Sequence, residues 1–282
     1  MQHNIQWYPG HMAKTKRELG EVMSLADLVL EIRDARIPKS SHNPDLGQLA
    51  VGKPVITILA KSDLADKKLT RSWMEHLQGA GLSVAAADLQ KGRGLRKLQE
   101  HIQAVYSTSR RRLQARGRQD RTLRGIVVGV PNVGKSTLIN RLAGRNIVKT
   151  GAKPGVTRGK QWVKAGKYMR LLDVPGVLWP KFDDSSTAFN LAVTGAISDD
   201  VFNYVEVSAL LAEHIANCRP QALKARYRLE EVPLDGASLL ESIGRRRGLL
   251  VSGGLVDVEK ASSLLLREFR QGLLGPFTLE EP

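Results

Sequence analysis

Two patterns of apolar spacing divide the chain. Up to about residue 173, short apolar runs alternate with stretches of helical spacing. Leu28-Val29-Leu30-Glu31-Ile32 and Pro54-Val55-Ile56-Thr57-Ile58-Leu59 read as strands, the second a near-continuous run typical of burial on both faces. Gly125-Ile126-Val127-Val128-Gly129-Val130 and Tyr168-Met169-Arg170-Leu171-Leu172-Asp173 add two more. Helical spacing falls between them, over about 70–79, 93–107 and 135–143. Strands alternating with helices predict an α/β unit, a parallel-rich sheet with helices on both faces.

Beyond about residue 183 the strand signal fades. Helices are expected over 186–198, 204–217, 235–247 and 256–273. In the last, Val258, Ala261, Leu265, Phe269 and Leu273 form one apolar stripe, with Lys260, Arg267 and Arg270 on the opposite side. The expected division is an α/β domain over 1–180 and an all-α domain over 181–282. A basic linker, about 108–124, lies inside the first, and its residues 110–124 hold seven Arg against one Asp. It is either a solvated spacer or helix end, or a phosphate-contacting segment, since a planar guanidinium donates two bonds at once.

Gly129-Val130-Pro131-Asn132-Val133-Gly134-Lys135-Ser136 fits the phosphate-loop pattern G-x-x-x-x-G-K-[ST], between an expected strand and an expected helix. Such a loop turns backbone amides onto phosphate oxygens, and the helix N-terminus adds positive potential. The phosphate-binding set is Pro131, Asn132, Val133, Gly134, Lys135, Ser136 and Thr137, with Lys135 on the β- and γ-phosphates and Ser136 on Mg²⁺. Downstream, Asp173-Val174-Pro175-Gly176 ends a strand. Asp173 there can hold a water of the Mg²⁺ shell, and the Gly176 amide can sense the γ-phosphate. In the intervening Lys153-Pro154-Gly155-Val156-Thr157, Thr157 either completes the Mg²⁺ shell or belongs to an ordinary turn.

A base-recognition element N-K-x-D is absent after residue 176, but the strand 54–59 runs into Ala60-Lys61-Ser62-Asp63. The Asp63 carboxylate can accept from guanine N1–H and the 2-amino group, and Lys61 can lie over the base, with Ser62 between them. Adenine presents the opposite pattern at those atoms, which favours GTP over ATP. Ala60 replaces the usual Asn, which predicts weaker affinity; a plain surface turn is the alternative. Ala85-Ala86-Ala87-Asp88 reads as a further loop whose Ala86 and Ala87 amides reach the base. Base loop, phosphate loop and switch loops thus come in swapped order, as a circular permutation leaves them. The segment after Gly176 then runs straight into the C-terminal helices, so loss of the γ-phosphate would reposition them.

Charge changes the picture of partners. Lys plus Arg number 43 against 28 Asp plus Glu, a net +15 with a pI near 10.1. Nucleic acid is the favoured polyanion, ahead of an anionic membrane. The single cysteine, Cys218, excludes an internal disulfide framework and a Cys-based metal cluster. No apolar run of ~18 residues occurs and the N-terminus lacks a signal-peptide core, so no membrane span is expected. A cytoplasmic monomer is the default expectation.

Trp7-Tyr8-Pro9-Gly10-His11-Met12, Asp34-Ala35-Arg36-Ile37-Pro38, the swapped motif order and the helical C-terminus together give the chain a family likeness. It resembles the circularly permuted ribosome-assembly GTPases of the RbgA/YlqF type. That resemblance implies a GTPase that binds the maturing large ribosomal subunit and its rRNA late in assembly; Ala60 departs from the pattern. Val177, Leu178 and Trp179 offer no water-orienting side chain after Gly176, so intrinsic hydrolysis should be slow. The resemblance suggests that His11 orients the water, with Lys135 as the second catalytic group; the alternative is that His11 only caps or packs a helix. Asn132 either recruits K⁺ or shapes the loop. RNA contacts are expected at Lys224, Arg226, Arg228, Arg245, Arg246, Arg247, Lys260, Arg267 and Arg270. Trp73, Trp162 and Trp179 are assigned to packing. Rival readings are a nucleotide-gated RNA binder with negligible turnover and an ATP-dependent RNA enzyme. A membrane signalling GTPase lacks any lipidation motif.

Overall fold

The computed structural model describes residues 20–119, 121–144, 162–173 and 185–282. These fall into two compact units. One is α/β and holds the described residues up to 173 together with Thr278–Pro282; the other is helical and spans 185–277.

The apolar runs become strands β1 (Leu28–Asp34), β2 (Val55–Ala60), β4 (Leu123–Val128) and β6 (Met169–Asp173). Two further strands, β3 (Ser83–Ala87) and β5 (Trp162–Ala165), complete one sheet in the order β3-β2-β1-β4-β6-β5. Every pairing is parallel except β5 with β6. All seven residues of β1 are buried, as its place between β2 and β4 requires. Helices α1 (Leu46–Leu49), α2 (Lys67–Gly79), α3 (Leu95–Ala115) and α4 (Lys135–Ala143) accompany the sheet. One core layer joins Val29, Ile126 and Leu172 to Met23 and Leu46, with Trp162 packed on it. A second joins Leu59 and Val84 to Trp73 and Leu77 of α2.

Two expectations are corrected in this unit. Ala85–Ala87 is strand, not loop: Ile58, Leu59 and Ala60 pair with Ala85, Ala86 and Ala87. The small side chains carried no strand signal, and the strand's backbone is closely approached by the loop that follows it. A Cβ on Gly94 would stand 2.1 Å from the Ala86 carbonyl oxygen, in a backbone with φ +82° that already favours glycine. The linker is also shorter than expected. Helix α3 continues to Ala115, two turns into the arginine run, with Arg112 in its last turn where cations complement the helix dipole.

The helical unit contains α5 (Ser185–Val193), α6 (Tyr204–Cys218), α7 (Pro220–Tyr227), α8 (Gly236–Arg246) and α9 (Val258–Arg270). Asn203, Asp235 and Asp257 cap α6, α8 and α9 by accepting from first-turn amides. The unexpected α7 is eight residues with little amphipathic pattern, opened by a proline whose fixed φ suits a first helical turn. Ala261, Leu265 and Phe269 of the predicted stripe are buried, but Val258 and Leu273 at its ends are exposed. Arg270 departs from the expected solvent face. Its guanidinium donates to the Val193 and Ala192 carbonyls and pairs with Asp199, tying α9 to the end of α5. Cys218 closes α6 at the surface and is unpaired, with burial pushing its thiol upward in pKa.

Leu265→Ala removes a fully buried side chain from the centre of this unit. The expected loss is about 2–5 kcal/mol in urea unfolding; a loss under about 1 kcal/mol would mean that Leu265 is not packed in the core as described.

Candidate nucleotide site

In a parallel sheet the loops that follow each strand leave from one edge, and ligands settle where neighbouring strands send their connections apart. Here that edge gathers the loops after β1, β2, β3 and β4, and it is where Asp173 ends β6.

The phosphate loop leaves β4 at Gly129. A Cβ there would come within 2.5 Å of the Ile32 carbonyl oxygen of β1, so the position admits glycine alone. Asn132 takes a left-handed conformation (φ +56°), and Gly134 caps α4. The first bond within α4 runs from Leu138 N to Gly134 O (2.9 Å), which leaves the amides of 134–137 ahead of the helical ladder, facing the loop. Lys135 opens the helix, and its Nζ folds back to donate to the carbonyls of Gly129 (3.1 Å) and Val130 (3.0 Å). The ammonium thus lies over the concavity bounded by Pro131, Asn132 and Val133, while Ser136 and Thr137 are half-buried beside it. On the next strand Asp173 pairs in register with Val127, near the start of the loop.

The candidate base loop, 61–66, joins β2 to α2. Lys61 is left-handed (φ +56°). Ser62 N donates to Ala87 O (3.3 Å), Leu64 N donates to Lys61 O (2.9 Å), and Asp66 caps α2 through the amides of Lys68 and Leu69. Asp63 is exposed. Ala86 and Ala87 end β3 beside this loop, and the true loop is 88–94. The latter is latched to the phosphate-loop helix: Arg141 of α4 donates to the carbonyls of Leu89 (2.9 Å) and Gln90. Leu89 also lies 3.2 Å from where a Cβ on Gly134 would stand. The structure therefore brings the phosphate and base candidates to one edge, bridged by 88–94.

Sequence reasoning gave no role to Asp34 and Arg36, which prove central. Asp34 ends β1 fully buried, and the Arg36 guanidinium grips it with two bonds, 2.9 and 2.7 Å, while the Arg36 amide adds a third at 3.0 Å. Lys61 Nζ reaches the same carboxylate at 3.0 Å. Burial would raise the Asp34 pKa, but the charges of Arg36 and Lys61 outweigh it and hold the carboxyl far below its ordinary range. The available signal was a carboxylate closing an apolar strand with an arginine two residues on. Deeper in β1, Glu31 is likewise buried and bonded to Arg33 (2.9 Å), His42 (2.6 Å) and Thr57 (3.0 Å). Burial would raise its pKa too, but the His42 bond and the Arg33 charge lower it on balance.

The expected RNA-contacting side chains of the helical unit divide. Arg226 grips Glu268, Arg247 stacks on Tyr227 at 5.3 Å and donates to the Arg226 carbonyl, and Arg270 bridges helices. Arg245, Arg246 and Lys260 pair at the surface with Glu241, Glu230 and Asp257. Lys224, Arg228 and Arg267 have no ion-pair partner among the described residues. His11, Thr157 and Gly176 lie outside the described residues, as does Trp179. Trp73 does pack, in the second core layer.

Comparison with known proteins adds the following. Residues 124–226 match a family described as "50S ribosome-binding GTPase". Over 99% of this chain, a protein of Priestia megaterium named "Ribosome biogenesis GTPase A" is 44% identical, covering 97% of that protein. One of the same name from Thermotoga maritima is 32% identical over 99% of this chain and 95% of its own. A Bos taurus protein named "Mitochondrial ribosome-associated GTPase 1" is 31% identical over 98% of this chain and 88% of its own. Among solved structures, "Crystal structure of GNP-bound YlqF from T. maritima" aligns with a TM-score of 0.64 at 27% identity, covering 95% of this chain and 98% of that one. A GDP-bound YlqF structure aligns with the same score at 26% identity over 94% and 99%.

Asp34→Asn leaves the buried Arg36 facing a neutral amide and removes the Asp34 ion pair of Lys61. The expected cost is about 3–5 kcal/mol of folding stability, measured by denaturant titration at neutral pH. Because the carboxyl's folded pKa lies below its ordinary value of 3.8, the wild-type contribution is complete above that value and fades as pH falls further. The gap between wild type and variant should therefore be flat from pH 8 to about pH 5 and close in stronger acid. A gap that opened toward alkaline pH would contradict this account.

Proposed function

Because the chain belongs to the ribosome biogenesis GTPase A family, we propose that it is an assembly factor for the large ribosomal subunit. It is a GTP hydrolase. The proposed role is to bind the subunit precursor and its rRNA late in maturation, in the cytoplasm, and to convert GTP to GDP and phosphate there. Among the described residues no helix is long and apolar enough to cross a membrane.

The observation that carries the reading is the shared edge of the sheet, where the loop holding Lys61 and Asp63 and the loop holding Lys135 are bridged by 88–94. In this reading the amides of 131–137 and the Lys135 ammonium bind the β- and γ-phosphates, with Gly176 sensing the γ-phosphate. Asp63 accepts from guanine, Lys61 covers its face, and Ser62 shapes the turn. The Asp34 bond to Lys61 supplies the brace that an Asn at position 60 would otherwise give.

The donor set also suits Mg²⁺. Ser136 stands in the first turn of α4, and Asp173 is the last residue of the strand paired with β4; a hydroxyl and a carboxylate are the oxygen ligands that Mg²⁺ takes. Ser136 would bind the ion directly and Asp173 through water, with Thr157 joining in the triphosphate state. The ion would neutralise charge developing on the phosphates. Asn132 is the residue proposed to hold K⁺ beside them. His11 is proposed to orient the attacking water.

Rate measurements test the reading. GTP turnover should be slow alone and rise about tenfold or more with large-subunit particles, and ATP should compete poorly; no stimulation, or a preference for ATP, would sink it.

For RNA contact, the end of α3 is better placed than most of the helical unit. Arg111, Arg112, Arg116 and Arg118 are exposed and have no ion-pair partner among the described residues. Lys53 and Arg112 also line a cavity of about 630 Å³ with Thr108 and Ser109. Each phosphate contact contributes roughly 0.7–0.9 to the salt slope of binding. Replacing Arg111, Arg116 and Arg118 by Gln should lower that slope by about 2 in subunit binding, whereas Arg226→Gln should chiefly cost stability. An unchanged slope in the triple variant would remove α3 from the RNA surface.

A further inference from the structure

The chain leaves the helical unit at Phe277, and Thr278–Pro282 belongs to the α/β unit. We propose that this short segment is a positioning element for the guanine loop, setting the geometry of Lys61 and Asp63 and with it the discrimination of the base. The proposal rests on the reading of 61–63 as the guanine loop.

The segment reaches three neighbouring parts of the α/β unit. Glu280 places its carboxylate on two successive backbone amides, Lys39 N (2.6 Å) and Ser40 N (2.9 Å), and accepts from the Ser40 hydroxyl as well. Its carbonyl accepts from the Trp73 indole of α2 (3.0 Å). Leu279 N donates to the Arg36 carbonyl (2.8 Å), and Asp66 N donates to the Thr278 hydroxyl (3.0 Å).

Both ends of the 61–66 loop are thereby held. Arg36 shares the Asp34 carboxylate with Lys61, so a bond to the Arg36 backbone fixes the near side of that brace. Asp66 ends the 61–66 loop and caps α2, so a bond to its amide fixes the far side. Asp63 lies between the two fixed points. Carboxylate bonds to backbone amides are about twice as strong as neutral ones, which makes Glu280 the principal fastening. A simple strap would stabilise the fold and leave base choice alone. A positioning element alters which base is held, because a displaced carboxylate loses its bond to the guanine 2-amino group first.

The test compares GDP with IDP, which differs only in lacking that 2-amino group. The variants are Glu280→Ala, Trp73→Phe and a chain ending at Phe277, with Asp63→Ala as reference, and dissociation rates and affinities are read for both nucleotides. Wild type should prefer GDP by about tenfold or more, and Asp63→Ala should abolish the preference. The chain ending at Phe277 should release GDP about fivefold faster or more and lose most of the GDP-over-IDP preference, with Glu280→Ala and Trp73→Phe partway. A synthetic peptide of residues 277–282 should restore the preference to the shortened chain. If every tail variant keeps the wild-type ratio while Asp63→Ala loses it, the proposal is overturned, whatever happens to thermal stability. If Asp63→Ala also keeps the ratio, the guanine-loop reading has failed, and this proposal falls with it.

Discussion

A carboxylate buried at the end of a central strand has to be neutralised, and much of the α/β unit is arranged around that demand. Asp34 closes β1 beside Ala60 of β2 and is buried away from solvent. Its two cations come from different loops, Arg36 from the loop after β1 and Lys61 from the loop after β2, and both reach Oδ2. The pair of contacts converts an electrostatic necessity into a geometric one. Two loops from different strands must meet at one point, and that point lies on the edge where the phosphate loop also emerges. Ser41 reinforces the arrangement by holding the Asp34 amide (3.0 Å) while bonding the Ile37 carbonyl (2.6 Å). A buried ion pair gains little net stability over an apolar substitute, yet removing one partner leaves an uncompensated charge and is costly.

How much of this was legible in the sequence depended on the kind of signal. Long apolar runs such as 54–59 were enough to place β2, because a strand covered on both faces needs continuous apolarity. The phosphate loop was readable because glycine at 129 answers a steric demand that no other residue meets. β3 was missed because Ala85, Ala86 and Ala87 are weak strand formers, and the approach of Gly94 to their backbone exists only in the folded state. β5 is four residues at a sheet edge, too short for a period to show. The contacts of Glu280 with Lys39 and Ser40 join positions remote in sequence, and no local pattern announces them.

The charged residues of the helical unit show the limit of reading charge as function. Arg226, Arg247 and Arg270 look from the sequence like parts of a basic surface. In the fold they are largely structural: a guanidinium that caps exposed carbonyls or grips a buried glutamate does what no apolar side chain can. Glu268 is held below its ordinary pKa, burial being outweighed by the Arg226 bonds and the charges of Arg226 and Arg247. Arg111, Arg112, Arg116 and Arg118 are different, since they lie on or just past the end of a helix whose last buried residue is Ile102. A helix that outruns its own core has to find its reason elsewhere, and a polyanion supplies one.

The latch from Arg141 to the carbonyls of Leu89 and Gln90 has a consequence for ligands. It fixes the span between the two ends of the edge. On the proposed assignment of 61–63 to the base, a nucleoside by itself, or a pyrophosphate by itself, meets only half of the site and leaves quickly. One molecule that joins them arrives with its second end already at high effective concentration. Tight retention then belongs to whole nucleotides, and fragments in the cell gain little purchase on the protein.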